Sequence, residues 1–304
     1  MHPKQQPAKR WRYWLQTSQP PSPTGPGADA ELNPAVSASI AKMTSQFVAV
    51  HILASDLARA VDVFCLITQT NPAPGSPSSG ESVRLAVGGG WLEFHGELPP
   101  RWNPEPVSIL GGRRDGVFGV DITVDDLEVR VGALKSAGAV FARSDGIIMV
   151  PESGISIAIS PGLADASCVA SPANHGVRLD HLALLVDDLA AASTRWEAIT
   201  GVDAEQMGLH PISQGAFSAS RLALGSAMIE LISPTKGRDS PVGRRLAATG
   251  EGPVALAIPV DDVDAAVGRL RSAAVRVDWR DPHWMVHPGD CSGVLVQLTP
   301  RVEH

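Results

Sequence analysis

Cysteine is scarce in these 304 residues: Cys65, Cys168 and Cys291 make an odd count with no C-x-x-C spacing. That excludes a disulfide framework and a thiolate zinc site, and it fits a reducing compartment. No apolar run reaches 18 residues, and no apolar segment follows the basic N-terminus, so neither a membrane span nor a secretory signal is expected. Positive charge is also in short supply. There are 25 Lys and Arg against 32 Asp and Glu, and residues 1–43 hold a local excess of +3, which leaves about −10 on the rest. A body that acidic repels a phosphate backbone, so no nucleic-acid partner is expected. The compartment expected is the cytoplasm.

What is present begins with a tail. Residues 1–43 carry seven of the 25 prolines and a Gln/Pro/Ser/Gly run from Gln16 to Gly27, with little apolar periodicity. Such a segment is too poor in buryable surface to order itself and reads as disordered. Trp11, Tyr13 and Trp14 beside Arg10 and Arg12 are a short aromatic and basic patch, either a partner or membrane-surface contact or without role. Met43, immediately before the first strand-like pattern, is an alternative start of translation.

Beyond the tail the chain repeats itself. VDDLEVRVGALKSAGAVF (124–141) and VDDVDAAVGRLRSAAVRV (260–277) are identical at eight of 18 aligned positions, and weaker copies begin at Ala54 and Val186. Each copy follows a short apolar run (FVAVHILA, VFGVDITV, LDHLALLV, VALAIPV), has an Asp or Ser suited to capping a helix, and continues with apolar residues of helical period. Further strand-like runs follow, separated by Gly, Pro, Ser and Asp. The fold class expected is α+β, with four βαβββ units in tandem, paired into an N-terminal module over 46–162 and a C-terminal module over 177–302. The small, polar stretch 163–176 between them is read as a linker. Gly88-Gly89-Gly90 is read as a hairpin turn, since no helix and no Lys-Ser/Thr follows it.

This grammar resembles the vicinal oxygen chelate, or glyoxalase-like, superfamily. The likeness covers about 260 of the 304 residues and is sharpest in the second module. There RLDHLALLVDDL, IELISPTKGRDSPVGRRLAATGEG, VDDVDAAVGRLRSAAVRV and VHPGDCSGVLVQL look like successive landmarks of the methylmalonyl-CoA epimerases. In that superfamily two units form a cup into which divalent-metal ligands project from the first and last strand of each unit. Alternation across a strand lets one inward position on each of four strands converge on one ion. The resemblance therefore implies a divalent metal of unspecified identity and a small-molecule ligand with two neighbouring oxygens, and it leaves a homodimer open.

Carried over position by position, the ligands of the second module fall on His181, Glu230 and Gln297, while the fourth position is Ala255. The epimerases' catalytic glutamate falls on Ser213, followed by Gln214 and Gly215, so no catalytic base is identified. Gln214 and His287, in the turn before the last strand, are the expected substrate contacts, with a purely structural turn the other reading of His287. Lys236, Arg238, Arg244 and Arg245 are read either as a solvated charged loop or as partners of coenzyme A phosphates. His181 alone could be a hydrogen-bonded core histidine, but an inward Glu230 at the matched position needs a cation, a metal or water. In the first module the corresponding positions are Ala49, Glu93, Gly119 and Ala158, so this module is read as a structural partner. A displaced cluster of His51, Glu93 and His95 is the other reading, since His51 and His95 each stand two residues from a ligand position and so on the same strand face.

Two functions follow from the resemblance. The first is a metal-dependent isomerase or lyase that moves a proton at the carbon between vicinal oxygens. The second is a metal-free cup that sequesters a small molecule, as the antibiotic-resistance members do. An extradiol-type dioxygenase has the same module count, but its metal triad needs the positions that are here Ala255 and Gln297.

Overall fold

Four times along the chain an aspartate ends a strand and starts a helix. In the computed structural model, which describes residues 45–75, 81–88, 90–102, 114–162, 179–212, 215–235 and 237–301, the side chains of Asp56, Asp126, Asp188 and Asp262 accept from the backbone N–H three residues on, at 3.0, 3.0, 3.0 and 2.9 Å. Each satisfies one orphan donor of a helical first turn. The helices they start are α1 (Leu57–Thr68), α2 (Leu127–Ser136), α3 (Leu189–Thr200) and α5 (Val263–Ser272); α4 (Pro241–Thr249) is capped by Ser240 instead. The tail 1–43, the linker 163–176, Ser213, Gln214 and Lys236 lie outside the described residues.

The strands form two eight-stranded sheets of one plan. The first holds β1 (Ser45–Leu53), β2 (Ala73–Pro74), β3 (Ser82–Val87), β4 (Gly90–His95), β5 (Gly116–Val124), β6 (Ala142–Ser144), β7 (Ile147–Glu152) and β8 (Ile155–Pro161), in the order β2-β3-β4-β1-β5-β8-β7-β6. The second holds β9 (His181–Leu185), β10 (Glu205–Ile212), β11 (Gly215–Leu224), β12 (Ala227–Pro234), β13 (Gly252–Val260), β14 (Val277–Arg280), β15 (His283–Val286) and β16 (Val296–Pro300), in the order β10-β11-β12-β9-β13-β16-β15-β14. Within each unit the first strand runs parallel to the last, as in β1 with β4 and β9 with β12. The two units of a sheet join through antiparallel first strands, β1 with β5 and β9 with β13. The architecture is thus α+β, two sheets each made of two βαβββ units. One difference from the sequence reading is α4: Arg244 and Arg245, read as part of a charged loop, lie on a helix whose Pro241 occupies its first turn, where a missing N–H is harmless.

Alternation gives each sheet an apolar face for the helices. Val50, Ile52, Leu92, Phe94, Val120 and Ile157 of the first sheet and Leu182, Leu184, Ile229, Leu256, Ile258 and Leu298 of the second belong to one continuous core that both sheets share. α1 packs on α5 and α2 on α3, so the helices of the two modules meet each other. Trp196, fully buried, donates from Nε1 to Ser153 Oγ at 3.2 Å, and Arg195 Nε donates to Glu152 Oε2 at 2.8 Å. Gly154, at φ 71°, is needed at this seam, because a Cβ there would collide with the Glu251 carbonyl. The other face of each sheet is left for chemistry. No helix among the described residues is long and apolar enough to cross a membrane.

Candidate functional site

On the helix-free face of the second sheet, alternation brings up His181, Ala183, Glu230, Ala255, Ala257, Gln297 and Met285. The register places Ala257 beside His181 on one side and beside Gln297 on the other. Ala183 lies beside Glu230 and opposite Ala255. Three alanines therefore form a low floor flanked by His181, Glu230 and Gln297. His181 is 6% and Glu230 8% exposed, and Gln297 is half-buried.

The polar groups around this floor hold each other by opposite edges. Glu230 Oε2 lies 3.5 Å from His181 Nε2. Its other oxygen, Oε1, accepts from Arg221, from Nε at 2.8 Å and from Nη2 at 2.7 Å. Arg221 reaches it because β11 and β12 pair Arg221 directly with Glu230. On the far side of the imidazole, Asp180 Oδ2 lies 3.2 Å from His181 Nδ1. A carboxylate at Nδ1 is the kind of outer contact that orients metal-bound histidines. His283 stands on the same face as Met285, and burial followed by the nearby His181 lowers its pKa below the ordinary histidine value.

The corresponding face of the first sheet is closed. Pro100–Trp102 forms a 3-10 turn that lays the Trp102 ring over Gly119, where a Cβ would stand 2.7 Å from a ring carbon. Trp102, Phe118 and Ala158 make a separate apolar cluster, with Leu53, Leu98, Ile147 and Met149 packed on it. Beneath it lie His51 and His95, both 0% exposed, and Glu93, 1% exposed. His51 Nδ1 is 3.0 Å from His95 Nε2, and His95 Nε2 is 3.7 Å from Glu93 Oε1. Burial, and then the charges of His51 and Arg101, lower the His95 pKa to about 3, so this ring is neutral and its contact with Glu93 is dipolar, not an ion pair. Asp121 Oδ2 lies 3.0 Å from His51 Nε2 and accepts from Arg101 Nη2 at 3.2 Å. Burial opposes ionisation of Asp121, but His51 and Arg101 outweigh it and hold the pKa below the usual carboxylate value. Glu93 Oε2 accepts from Arg84 Nε at 3.0 Å, repeating the Arg221–Glu230 pair in the other module.

The structure thus brings His181, Glu230 and Gln297 onto one face, and it brings His51, Glu93 and His95 into one buried cluster. That cluster is the one group of three His, Cys, Asp or Glu donors within 4.8 Å of one another among the described residues. His287 caps the turn after it, its Nδ1 accepting from the Gly289 N–H at 3.0 Å, and Arg276 and Asp290 pin that turn at 2.8 Å. The sequence reading missed Arg221 and His283. Arg221 had one available signal: the spacing Arg-x8-Glu recurs as Arg84/Glu93 and Arg221/Glu230.

Comparison with known proteins bears on the family and the fold. The family model described as "Glyoxalase-like domain" matches residues 179–289. Human mitochondrial methylmalonyl-CoA epimerase is 32% identical over 130 residues, covering 40% of this chain and 72% of that protein. The bovine epimerase is 28% identical over 175 residues, 55% of this chain and 94% of the relative. Among solved structures, a mutant of 4-hydroxymandelate synthase from Streptomyces coelicolor superposes with a TM-score of 0.63 over 85% of this chain and 93% of its own, at 17% identity, a likeness of fold alone. The chain belongs to the glyoxalase-like, vicinal oxygen chelate superfamily, and its second module is epimerase-like.

Proposed function

We propose that the second module is the working cup, that it binds a divalent metal through His181, Glu230 and Gln297, and that it moves a proton on a small acyl substrate carrying vicinal oxygens. The observation that carries this reading is the approach of Glu230 Oε2 to His181 Nε2, 3.5 Å apart over an alanine floor. Two donors each bonded at about 2.0–2.2 Å to one ion stand roughly 3.0–3.5 Å apart, so this pair fits a shared first-row ion. Gln297, across Ala257 from His181, is a third donor of weaker oxygen type. Such an ion, when bound, withdraws charge from a carbonyl and makes the neighbouring C–H more acidic.

The chain's own residues do the rest. Arg221 fixes Glu230 by its other oxygen and Asp180 orients His181. Ala183, Ala255 and Ala257 keep the floor between these side chains low, with Met228 and Met285 alongside. His283, whose charged form is disfavoured by burial and by His181, is the imidazole placed to accept a proton. The epimerase relatives make methylmalonyl-CoA the first substrate to try, and a small acyl thioester the class. A reducing, cytoplasmic setting is part of this reading, in keeping with free Cys65 and Cys291.

The test is metal content of tag-free protein after loading with cobalt, nickel, manganese, iron or zinc, together with deuterium exchange at the acyl α-carbon followed by NMR. His181→Ala/Glu230→Ala is expected to lose about one equivalent relative to the wild type, and His283→Ala to keep it while exchange falls roughly 100-fold. Equal metal content in wild type and double variant would overturn the metal assignment. One observation favours a second reading, a metal-free sequestering cup: Arg221 already answers the Glu230 charge. That reading expects ligand-induced change in tryptophan fluorescence that survives chelation.

A further inference from the structure

We propose that the first module holds a second, closed metal site of structural type, formed by His51, Glu93 and His95, taking a borderline divalent ion such as zinc. It stands independently of the reading of the second module. It shares only Glu93 with the superfamily's ligand set, since the other three corresponding positions in this module are Ala49, Gly119 and Ala158.

The placement follows from register. β1 and β4 run parallel with His51 beside Glu93 and Leu53 beside His95, so the three side chains rise from one face of two adjacent strands. Their inward atoms converge: His51 Nδ1 to His95 Nε2 is 3.0 Å, His95 Nε2 to Glu93 Oε1 is 3.7 Å, and all three lie within 4.8 Å of one another. Two donors bonded at about 2.0–2.2 Å to one ion stand roughly 3.0–3.5 Å apart; the His51–His95 edge lies in that range, and the His95–Glu93 edge, at 3.7 Å, is slightly longer. The outward atoms of His51 and Glu93 are already committed, as outer-shell partners commit them in metal sites. Asp121 Oδ2 sits 3.0 Å from His51 Nε2, with Arg101 Nη2 at 3.4 Å, and a proton held on Nε2 by that carboxylate leaves the Nδ1 lone pair facing the cluster. Arg84 holds Glu93 Oε2 at 3.0 Å, and Glu93 Oε1 lies 3.7 Å from His95 Nε2. Two imidazole nitrogens this close need a cation or a proton between them, because facing lone pairs repel. Imidazole and carboxylate donors suit zinc, cobalt or nickel over magnesium or calcium.

Enclosure sets the role. The three ligands are 0–1% exposed, and the Trp102 ring covers His51 with centroids 4.7 Å apart. An ion enclosed in this way contributes to the stability of the folded module.

The deciding experiment uses full-length His181→Ala/Glu230→Ala protein, from which the second-module ligands are gone, refolded with Co2+ or Zn2+ and dialysed. About one equivalent of metal is expected to remain, with a visible Co2+ absorption, and His95→Gln or Glu93→Gln added to this background is expected to lower it at least 10-fold. Asp121→Asn is expected to weaken retention about 10-fold through His51. Because these variants could fail to fold, the parent is also loaded with Cu2+ and its paramagnetic resonance recorded, where coupling to two imidazole nitrogens is expected. No metal in the parent, or coupling to fewer than two nitrogens, would overturn the site and leave a His95-to-His51 hydrogen bond in its place. Neither result touches the second-module reading, which depends on metal lost between wild type and double variant.

Discussion

At the scale of single residues, the Arg–Glu pair that appears in both sheets is the unit most open to measurement. Glu230 is nearly buried and accepts two bonds from one guanidinium, so among the described residues removing Arg221 leaves the carboxylate with His181 as its remaining close polar partner. Arg221→Met is expected to destabilise the protein by about 1–3 kcal/mol, the range for leaving a buried polar group without its partner. Adding Glu230→Leu should restore most of that, since replacing both partners by apolar groups removes the penalty. Denaturant melts of the two single variants and the double variant give the coupling, and a value near zero would mean that the pair is solvated. His181, Glu230 and Gln297 could be named from the sequence because the resemblance to the superfamily carries its ligand positions onto these strands, and the register brings them to one face. Arg221 and His283 were not named, because their roles depend on which residue of a neighbouring strand stands opposite, and the pairing register is set by turns and packing across the sheet. His51 and His95 were visible only as a conceivable displacement. The parallel register of β1 and β4 brings them together, and Asp121 on β5 holds His51 from its far side.

Among the elements, the 3-10 turn Pro100–Trp102 separates the two faces that otherwise share one plan. In the second sheet the alanine floor is flanked by half-buried Met228, Met285 and Gln297; in the first, Trp102 is buried over Gly119 and closes the face. Gly119→Ala puts a methyl against that ring and 3.1 Å from the Ser156 carbonyl, and overpacking of this kind costs about 1–3 kcal/mol. Trp102→Ala, which removes the cover, is expected to cost about 3–5 kcal/mol and to let a soluble chelator reach His51 and His95. A thermal melt with chelator present and absent checks both. Unchanged stability in Trp102→Ala would show that the ring is not a packed part of the module. The repeated helices were legible because their four aspartate caps recur with the apolar period. This turn and α4 were not: each begins at a proline, in a stretch that reads equally well as loop until the surface it packs on is known.

At the scale of the whole molecule, the two sheets share a core, which bears on how the chain unfolds. Residues of both sheets belong to one cluster, and the helices meet as α1 on α5 and α2 on α3. Polar contacts cross the same seam: Trp196 to Ser153, Arg195 to Glu152, Arg130 Nη1 to the Ala198 carbonyl at 3.3 Å, and Ser45 to the Thr200 carbonyl. Neither module can expose its helical layer without stripping cover from the other, so residues 45–301 are expected to unfold in one cooperative transition rather than two. Trp196 is the residue to test, being fully buried, largely apolar, and bonded across the seam by its one donor. Trp196→Ala is expected to cost about 3–5 kcal/mol and to lower the midpoint of both modules together. Hydrogen exchange followed peptide by peptide supplies a probe in each sheet. Coincident loss of protection in β1 and β9 is the expected outcome, whereas early loss confined to β9 and its neighbours would mean that the first sheet, metal-bound or not, holds its fold alone.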